Sequence, residues 1–108
     1  MSKFFGTSLQ KKRPRNFPKE FDLVSSDEQI VGDAKFLTMV RGEKTPPAKF
    51  MEIAGHVWLL EKVNAKRRFL VFGNQKEVPN SWLKKYGKLV HNVEFYFLSE
   101  SGNLEKLK

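Results

Sequence analysis

The segment HVWLLEKVNAKRRFLVFGN, residues 56–74, gives the strongest indication of how this chain folds. It consists of two apolar runs, HVWLLEKV and RRFLVFGN, that are separated by only three residues, NAK. Two such runs joined by a short connection are typical of a β-hairpin. Both runs would carry large apolar side chains on both faces of an extended chain, which predicts strands that are covered on both sides. The segment therefore favours a partly open barrel, or a sheet with a helix on one face.

Working outward from this segment, the sequence predicts further strands and one short helix. AKFLTMVRG, residues 34–42, is typical of a strand, and VEFYFLSESGNLEKL, residues 93–107, of two strands joined by a tight turn. PNSWLKKYG, residues 79–87, predicts a helix that places Trp82 and Tyr86 on one side and anchors Trp82 in the core. Residues 25–32 could add one helical turn, which Ser25 or Ser26 would cap. The predicted fold is α+β and mostly β, a small twisted sheet or partly open barrel with one short helix at about residues 79–87.

Charge divides the chain into three parts. The formal net charge is +8, with +6 in residues 1–19, −4 in residues 20–61 and +6 in residues 62–108. Residues 1–20 contain no acid before Glu20 and include Pro14 and Pro18, which predicts a basic and mobile N-terminal arm. Residues 21–108 then form a single globular domain. The alternative is that the arm folds back onto the acidic half of its own domain.

Several classes of chemistry lack their usual residues. The chain has no cysteine, its glycines are dispersed singly, and no Glu-x-Lys motif is present. Neither His56 nor His91 has a second histidine at metal-binding spacing. We therefore predict a protein that is not an enzyme and that needs no cofactor or metal. No apolar run approaches the roughly 20 residues of a membrane span. The absence of cysteine fits a reducing compartment, and the N-terminal KFFGTSL lacks the long apolar segment of a secretory signal, so an intracellular protein, cytoplasmic or nuclear, is expected. An organellar protein with the arm as its transit sequence is the alternative.

Basic residues dominate the candidate binding sites. Residues 62–88 hold eight positive side chains and one acid, Glu77. With the arm, they form the electrostatic pattern expected of a nucleic-acid-binding protein. The candidate phosphate contacts, in the arm, the hairpin tip and the helix, are Lys11, Lys12, Arg13, Arg15, Lys66, Arg67, Arg68, Lys84, Lys85 and Lys88. Tyr86 and Tyr96 are the candidates for stacking on bases.

These features predict a non-catalytic protein that binds nucleic acid, DNA or RNA, mainly through the phosphate backbone. The first alternative is a small protein-binding regulator or inhibitor, of the phage or virus type, that docks on an acidic host enzyme. The second alternative is a structural component of a ribosome-type ribonucleoprotein. The basic surface would contact carboxylates of a protein in the first alternative and RNA phosphates in the second.

Overall fold

The structure is a computed structural model that describes residues 8–35, 47–74 and 76–108. This part of the chain forms a six-stranded sheet and two helices that pack on it. In chain order the elements are β1 (Leu9–Lys12), β2 (Phe21–Ser25), β3 (Ile30–Lys35), α1 (Pro47–Lys62), β4 (Arg67–Phe72), α2 (Glu77–Tyr86), a 3₁₀ turn (Gly87–Leu89), β5 (Glu94–Leu98) and β6 (Leu104–Lys106). The strands lie side by side in sequence order, and the sheet remains open. The domain is therefore α+β, as predicted.

The hairpin predicted for residues 56–74 is wrong, because its first apolar run belongs to α1. Ile53, Val57 and Leu60 are buried at helical spacing, so they form one face of that helix. β3 and β4 pair in parallel, and parallel strands need a crossover connection, which is usually a helix. The described chain therefore contains two helices where the sequence predicted one. A short apolar run fits either a strand or a buried helix, and here the parallel pairing requires the helix.

The helical turn predicted for residues 25–32 is also wrong, because this segment is the turn between the antiparallel strands β2 and β3. Ser25 Oγ donates to Asp27 Oδ1 (2.6 Å) and accepts from the Ile30 N–H (3.1 Å). Glu28 adopts a left-handed conformation with φ of 61°. Ser and Asp side chains cap helices through the same local hydrogen bonds that also stabilise turns. The sequence therefore indicated the hydrogen-bonding residues correctly, but they stabilise a turn and not a helix.

Two further predictions agree with the structure, and a third falls mostly outside the described residues. The helix expected at about residues 79–87 is α2, and Trp82 is buried as expected. The expected strand–turn–strand near the end of the chain is β5 and β6, which pair antiparallel around Gly102. Of the strand predicted for residues 34–42, the first two residues end β3, and the remainder lies outside the described residues.

The sheet has an apolar layer on each face. One face packs against α1 and α2, and its core includes Val57, Trp82 and Phe95. The opposite face holds a smaller buried cluster of Phe69, Val71 and Tyr96. β4 is buried on both faces, as its sequence predicted, because it is a central strand with parallel neighbours. Neither α1 nor α2, the helices of the described chain, has the length and apolar character that a bilayer span requires.

Gly32 allows the two central strands to pack closely. The ring of Phe69 lies directly over Gly32 of the neighbouring strand, and a Cβ atom at this position would overlap that ring. We expect Gly32→Ala to lower the free energy of unfolding by about 1–3 kcal/mol, as overpacking of a core does. Urea unfolding followed by circular dichroism measures this change.

Gly55 provides the matched control for that substitution. It lies in α1, and a Cβ atom there meets nothing within 4 Å. Gly55→Ala should therefore raise the free energy of unfolding by about 0.5–1 kcal/mol through helix propensity. Equal effects of the two substitutions would show that the Phe69 ring moves aside without cost.

Candidate anion-binding surface

Five basic side chains line one cavity of about 520 Å³ at the end of the sheet where β4 and β5 begin. The parallel pairing of these strands brings their starts together, and the antiparallel β6 ends beside them. We call this cavity the basic pocket. Its lining residues are Ala65, Lys66, Arg67, Arg68, Val90, Asn92, Val93, Glu94, Lys106 and Lys108. Glu94 is the one carboxylate side chain among them.

Glu94 is held by a bidentate ion pair with Arg67. Arg67 Nε donates to Glu94 Oε2 (3.0 Å) and its Nη2 donates to Oε1 (2.6 Å). Burial raises the pKa of Glu94, but the hydrogen bonds from Arg67 and Tyr96 outweigh it, so this pKa lies below its ordinary value. The ion pair with Glu94 raises the pKa of Arg67. Arg67 and Glu94 thus remain charged together and largely cancel each other.

Tyr96 completes this network from inside the core. Its hydroxyl donates to Glu94 Oε1, and it also accepts from Arg67 Nη2 (3.1 Å). Burial, followed by the nearby Glu94 carboxylate, raises the pKa of Tyr96 to about 12. The residue is only 1% exposed, and its ring packs edge-on against Phe69. A base could stack on Tyr96 only if the groups that cover it moved, so the structure places this candidate in the core.

The other cations of the basic pocket are held in different ways. Arg68 Nε donates to the carbonyl of Val63 (2.9 Å), just beyond the end of α1. The backbone of Lys108 pairs with Phe95 in both directions, which holds the end of the chain against β5. Lys66 is exposed. The pKa of Asp27 is lowered mainly by hydrogen bonds from Ser25 and Gln29, and the charge of Lys66 lowers it slightly further. Lys106 Nζ lies 3.6 Å from Glu94 Oε1.

Three of the four basic residues predicted for the N-terminal arm contact acidic side chains of their own domain, away from the basic pocket: Lys11, Lys12 and Arg15. β1 pairs with β2, so residues 9–12 are an edge strand of the sheet. Lys11 forms an exposed ion pair with Glu20 (3.6 Å), and Lys12 forms one with Glu28 (3.0 Å). The Arg15 N–H donates to the same Glu28 carboxylate (2.8 Å). Residues 9–15 thus contact their own domain in the structure, and the mobility of the arm stays a prediction.

The predicted helix residues line a second surface. Lys84 and Lys85 are exposed on α2, and Lys88 is exposed on the 3₁₀ turn that follows it. Tyr86 is half-buried against the rings of Trp82 and Phe50. The structure thus brings together Lys66, Arg67 and Arg68, and places the helical lysines on the neighbouring helical surface. Val90 lines both the basic pocket and the cavity beside these helices.

Sequence reasoning missed the contributions of Lys106, Lys108 and Glu94 to the basic pocket. Glu94 lies 27 residues after Arg67 in the chain. Only the pairing of β4 with β5 and of β5 with β6 brings these residues together. The alternation of β5 could have shown that Glu94 and Tyr96 share a face, but not that Arg67 would meet them there.

A second polar cluster surrounds the buried carboxylate of Asp33. Asp33 Oδ2 lies 2.9 Å from Lys19 Nζ and 2.8 Å from His56 Nδ1, and Oδ1 accepts the Asp22 N–H (2.9 Å). Burial raises the pKa of Asp33, but these hydrogen bonds outweigh it and the pKa is lowered. Since an ionised carboxylate only accepts, Nδ1 of His56 carries a proton. No hydroxyl nucleophile within the described residues hydrogen-bonds to His56, and they hold no group of three His, Asp or Glu side chains placed for a metal.

Comparison with models of protein families, with curated proteins and with solved structures found no match to this chain.

Proposed function

We propose that the protein is a non-catalytic nucleic-acid-binding protein that holds phosphate groups in the basic pocket. The observation that carries this proposal is that five basic side chains and a single carboxylate side chain line one cavity. Arg67 neutralises that carboxylate through the bidentate pair. The cavity then has a net positive charge, which comes from Lys66, Arg68, Lys106 and Lys108. Such clusters of basic side chains bind the phosphate groups of nucleic acids.

The lining of the basic pocket suits backbone contacts rather than the reading of bases. Its polar groups are mostly cationic side chains, which attract phosphates without regard to sequence. Its rigid part is the Arg67–Glu94–Tyr96 network, and Arg68 is fixed through Val63. Such contacts apply to DNA and RNA alike, and they would also serve a structural component of a ribonucleoprotein particle.

The exposed lysines of α2 and of the 3₁₀ turn extend the positive surface. The basic pocket and the cavity beside the helices adjoin at Val90, which lines both. A nucleic-acid strand bound in the pocket could therefore continue toward Lys88. Lys11 and Lys12 contribute less in this proposal, because Glu20 and Glu28 already compensate their charges. Arg13 is exposed and remains a candidate contact from the N-terminal segment.

The salt dependence of binding tests the basic pocket directly. We expect the double variant Lys66→Gln/Lys108→Gln to flatten the slope of log affinity against log salt by about 1.4–1.8, since each lost phosphate contact removes about 0.7–0.9. Fluorescence anisotropy with labelled single- and double-stranded DNA and RNA, across a range of salt concentrations, measures this slope. Arg67 is unsuitable for the test, because its loss would also remove the bidentate partner of Glu94 and leave that carboxylate with only Tyr96 and the more distant Lys106.

A matched control removes the same charge elsewhere. Lys11→Gln/Lys76→Gln also removes two positive charges, but these lysines pair with Glu20 and Glu105 outside the basic pocket. This variant should leave the slope nearly unchanged, and both variants should melt within a few degrees of the wild type because exposed substitutions shift stability by only about 0.5 kcal/mol. Equal slopes for the two variants, or no binding by the wild type, would contradict the proposal.

A further inference from the structure

The two helices form an apolar groove on the outer surface of the domain, next to the basic pocket. The groove has a volume of about 270 Å³, close to the lower end of the roughly 300–1,000 Å³ typical of small-molecule sites. Its lining includes Phe50, Met51, Trp58, Glu61, Tyr86 and Leu89. Met51, Trp58 and Leu89 are 68%, 57% and 71% exposed. These three large apolar side chains cluster at one place, and such clusters mark binding surfaces on soluble domains.

The rim of the groove is basic. Lys62 Nζ lies 5.6 Å from the centre of the Trp58 ring, and Lys85 Nζ lies 5.9 Å from that of Phe50. Lys84 and Lys88 are exposed on the same helical layer. Glu61 is the acid in the lining, and its carboxylate already accepts the His91 N–H (2.8 Å). Among the described residues, none of these four lysines forms an ion pair, so their charges are available to a partner.

We propose that this groove binds an acidic amphipathic helix of a partner protein. The apolar face of such a helix would cover Met51, Trp58 and Leu89, and its carboxylates would meet the lysines of the rim. The flexible side chain of methionine adapts well to apolar faces of this kind. A second copy of the same groove is a poor occupant, because the lysine rims would face each other.

Nucleic acid fits this groove less well than it fits the basic pocket. The lining offers few hydrogen-bonding groups, chiefly the Tyr86 hydroxyl and the already engaged Glu61 carboxylate. Of the three exposed side chains only Trp58 has a flat ring on which a base could stack, and Lys62 Nζ already lies 5.6 Å from the centre of that ring. The apolar lining of the groove is thus distinct from the basic pocket, although both proposals use the exposed lysines of α2 and the 3₁₀ turn. The partner proposed for the groove differs in class from the phosphates proposed for the basic pocket.

A designed peptide pair tests the inference on the full chain. The probe is a fluorescein-labelled helical peptide of about 16 residues, long enough to form a helix, with leucines on one face and glutamates elsewhere. The control peptide replaces the glutamates by lysines. We expect saturable binding of the acidic peptide, measured by anisotropy, and at least about tenfold weaker binding of the basic one. Equal binding of both peptides, or no binding of the acidic one, overturns the proposal.

Variants locate the binding and separate it from the basic pocket. Met51→Ser/Leu89→Ser should weaken acidic-peptide binding at least about tenfold, with little change in melting temperature because both side chains are exposed. Lys66→Gln/Lys108→Gln should leave peptide binding unchanged. Peptide affinity that is unaffected by the groove variant overturns the proposal. Two other results would also overturn the proposal. One is that a single-stranded oligonucleotide displaces the peptide and that binding of this oligonucleotide depends on Met51 and Leu89. The other is that the wild type forms a dimer that the groove variant does not form.

Discussion

Replacing Trp82 by alanine should lower the free energy of unfolding by about 3–5 kcal/mol, the usual cost of truncating a large buried aromatic side chain. Trp82 is 3% exposed and stacks on Phe95 with a centroid distance of 5.5 Å and an interplanar angle of 18°. Its Nε1 donates to the carbonyl of Phe50 (3.1 Å), which joins α2 to α1. One side chain therefore connects both helices to the sheet, and its loss leaves a cavity among all three.

The second tryptophan supplies the control for this prediction. Trp58 is more than half exposed on α1, so Trp58→Ala should change the free energy of unfolding by only about 0.5 kcal/mol. Urea unfolding followed by circular dichroism at 222 nm suits both variants, because it does not depend on indole fluorescence. A stable Trp82→Ala variant that had lost nucleic-acid binding would instead identify Trp82 as a stacking residue.

The position of Trp82 could be predicted because its signal is local. Trp82 and Tyr86 are spaced for one face of a helix, and exposed lysines occupy the other positions nearby. A short amphipathic helix is stable only when such a face packs on a core. The β5–β6 hairpin was predictable for a similar reason, since the turn between the two strands contains Gly102, which adopts a positive φ of 90° there.

Residues 56–62, which belong to α1 and not to the predicted strand, lack such a local signal. The apolar positions from Val57 to Leu60 fit a strand with two covered faces as well as a helix with a broad apolar side. The segment is helical because β3 pairs with β4 in parallel, and two parallel strands need a long connection between them. That pairing joins residues 37 positions apart, as in Ile30 and Arg67, and no short window of sequence contains it.

The basic pocket was predictable only in part for the same reason. The cluster at residues 66–68 is visible as a run of charge, but Lys106 and Lys108 reach it through two strand pairings. The role of Arg67 also depends on a distant residue, because Glu94 turns it from a free phosphate contact into half of an ion pair. Charge runs in a sequence therefore indicate that a surface is basic, but they do not show which cations are already compensated.

Asp33→Ala is expected to lower the free energy of unfolding by about 3–5 kcal/mol, the range for removing one partner of a buried ion pair. The Asp33 side chain is 2% exposed and accepts hydrogen bonds from Lys19, His56 and the Asp22 N–H. Its removal takes the shared acceptor away from all three donors, of which Lys19 keeps the Glu20 carbonyl (2.9 Å). Glu20→Ala is the control, because Glu20 and Lys11 are both exposed and such pairs contribute only about 0–1 kcal/mol.

The pH dependence of stability separates the charge of Asp33 from its packing. Because the pKa of Asp33 in the folded protein lies below its ordinary value of 3.8, the charge stabilises the fold above that value. This contribution is lost as the pH falls below about 4 and the carboxylate takes up a proton in the folded state. Urea unfolding at neutral pH and near pH 3 should therefore show a smaller difference between wild type and Asp33→Ala in acid. A difference that stays constant with pH would mean that Asp33 stabilises the domain through packing alone.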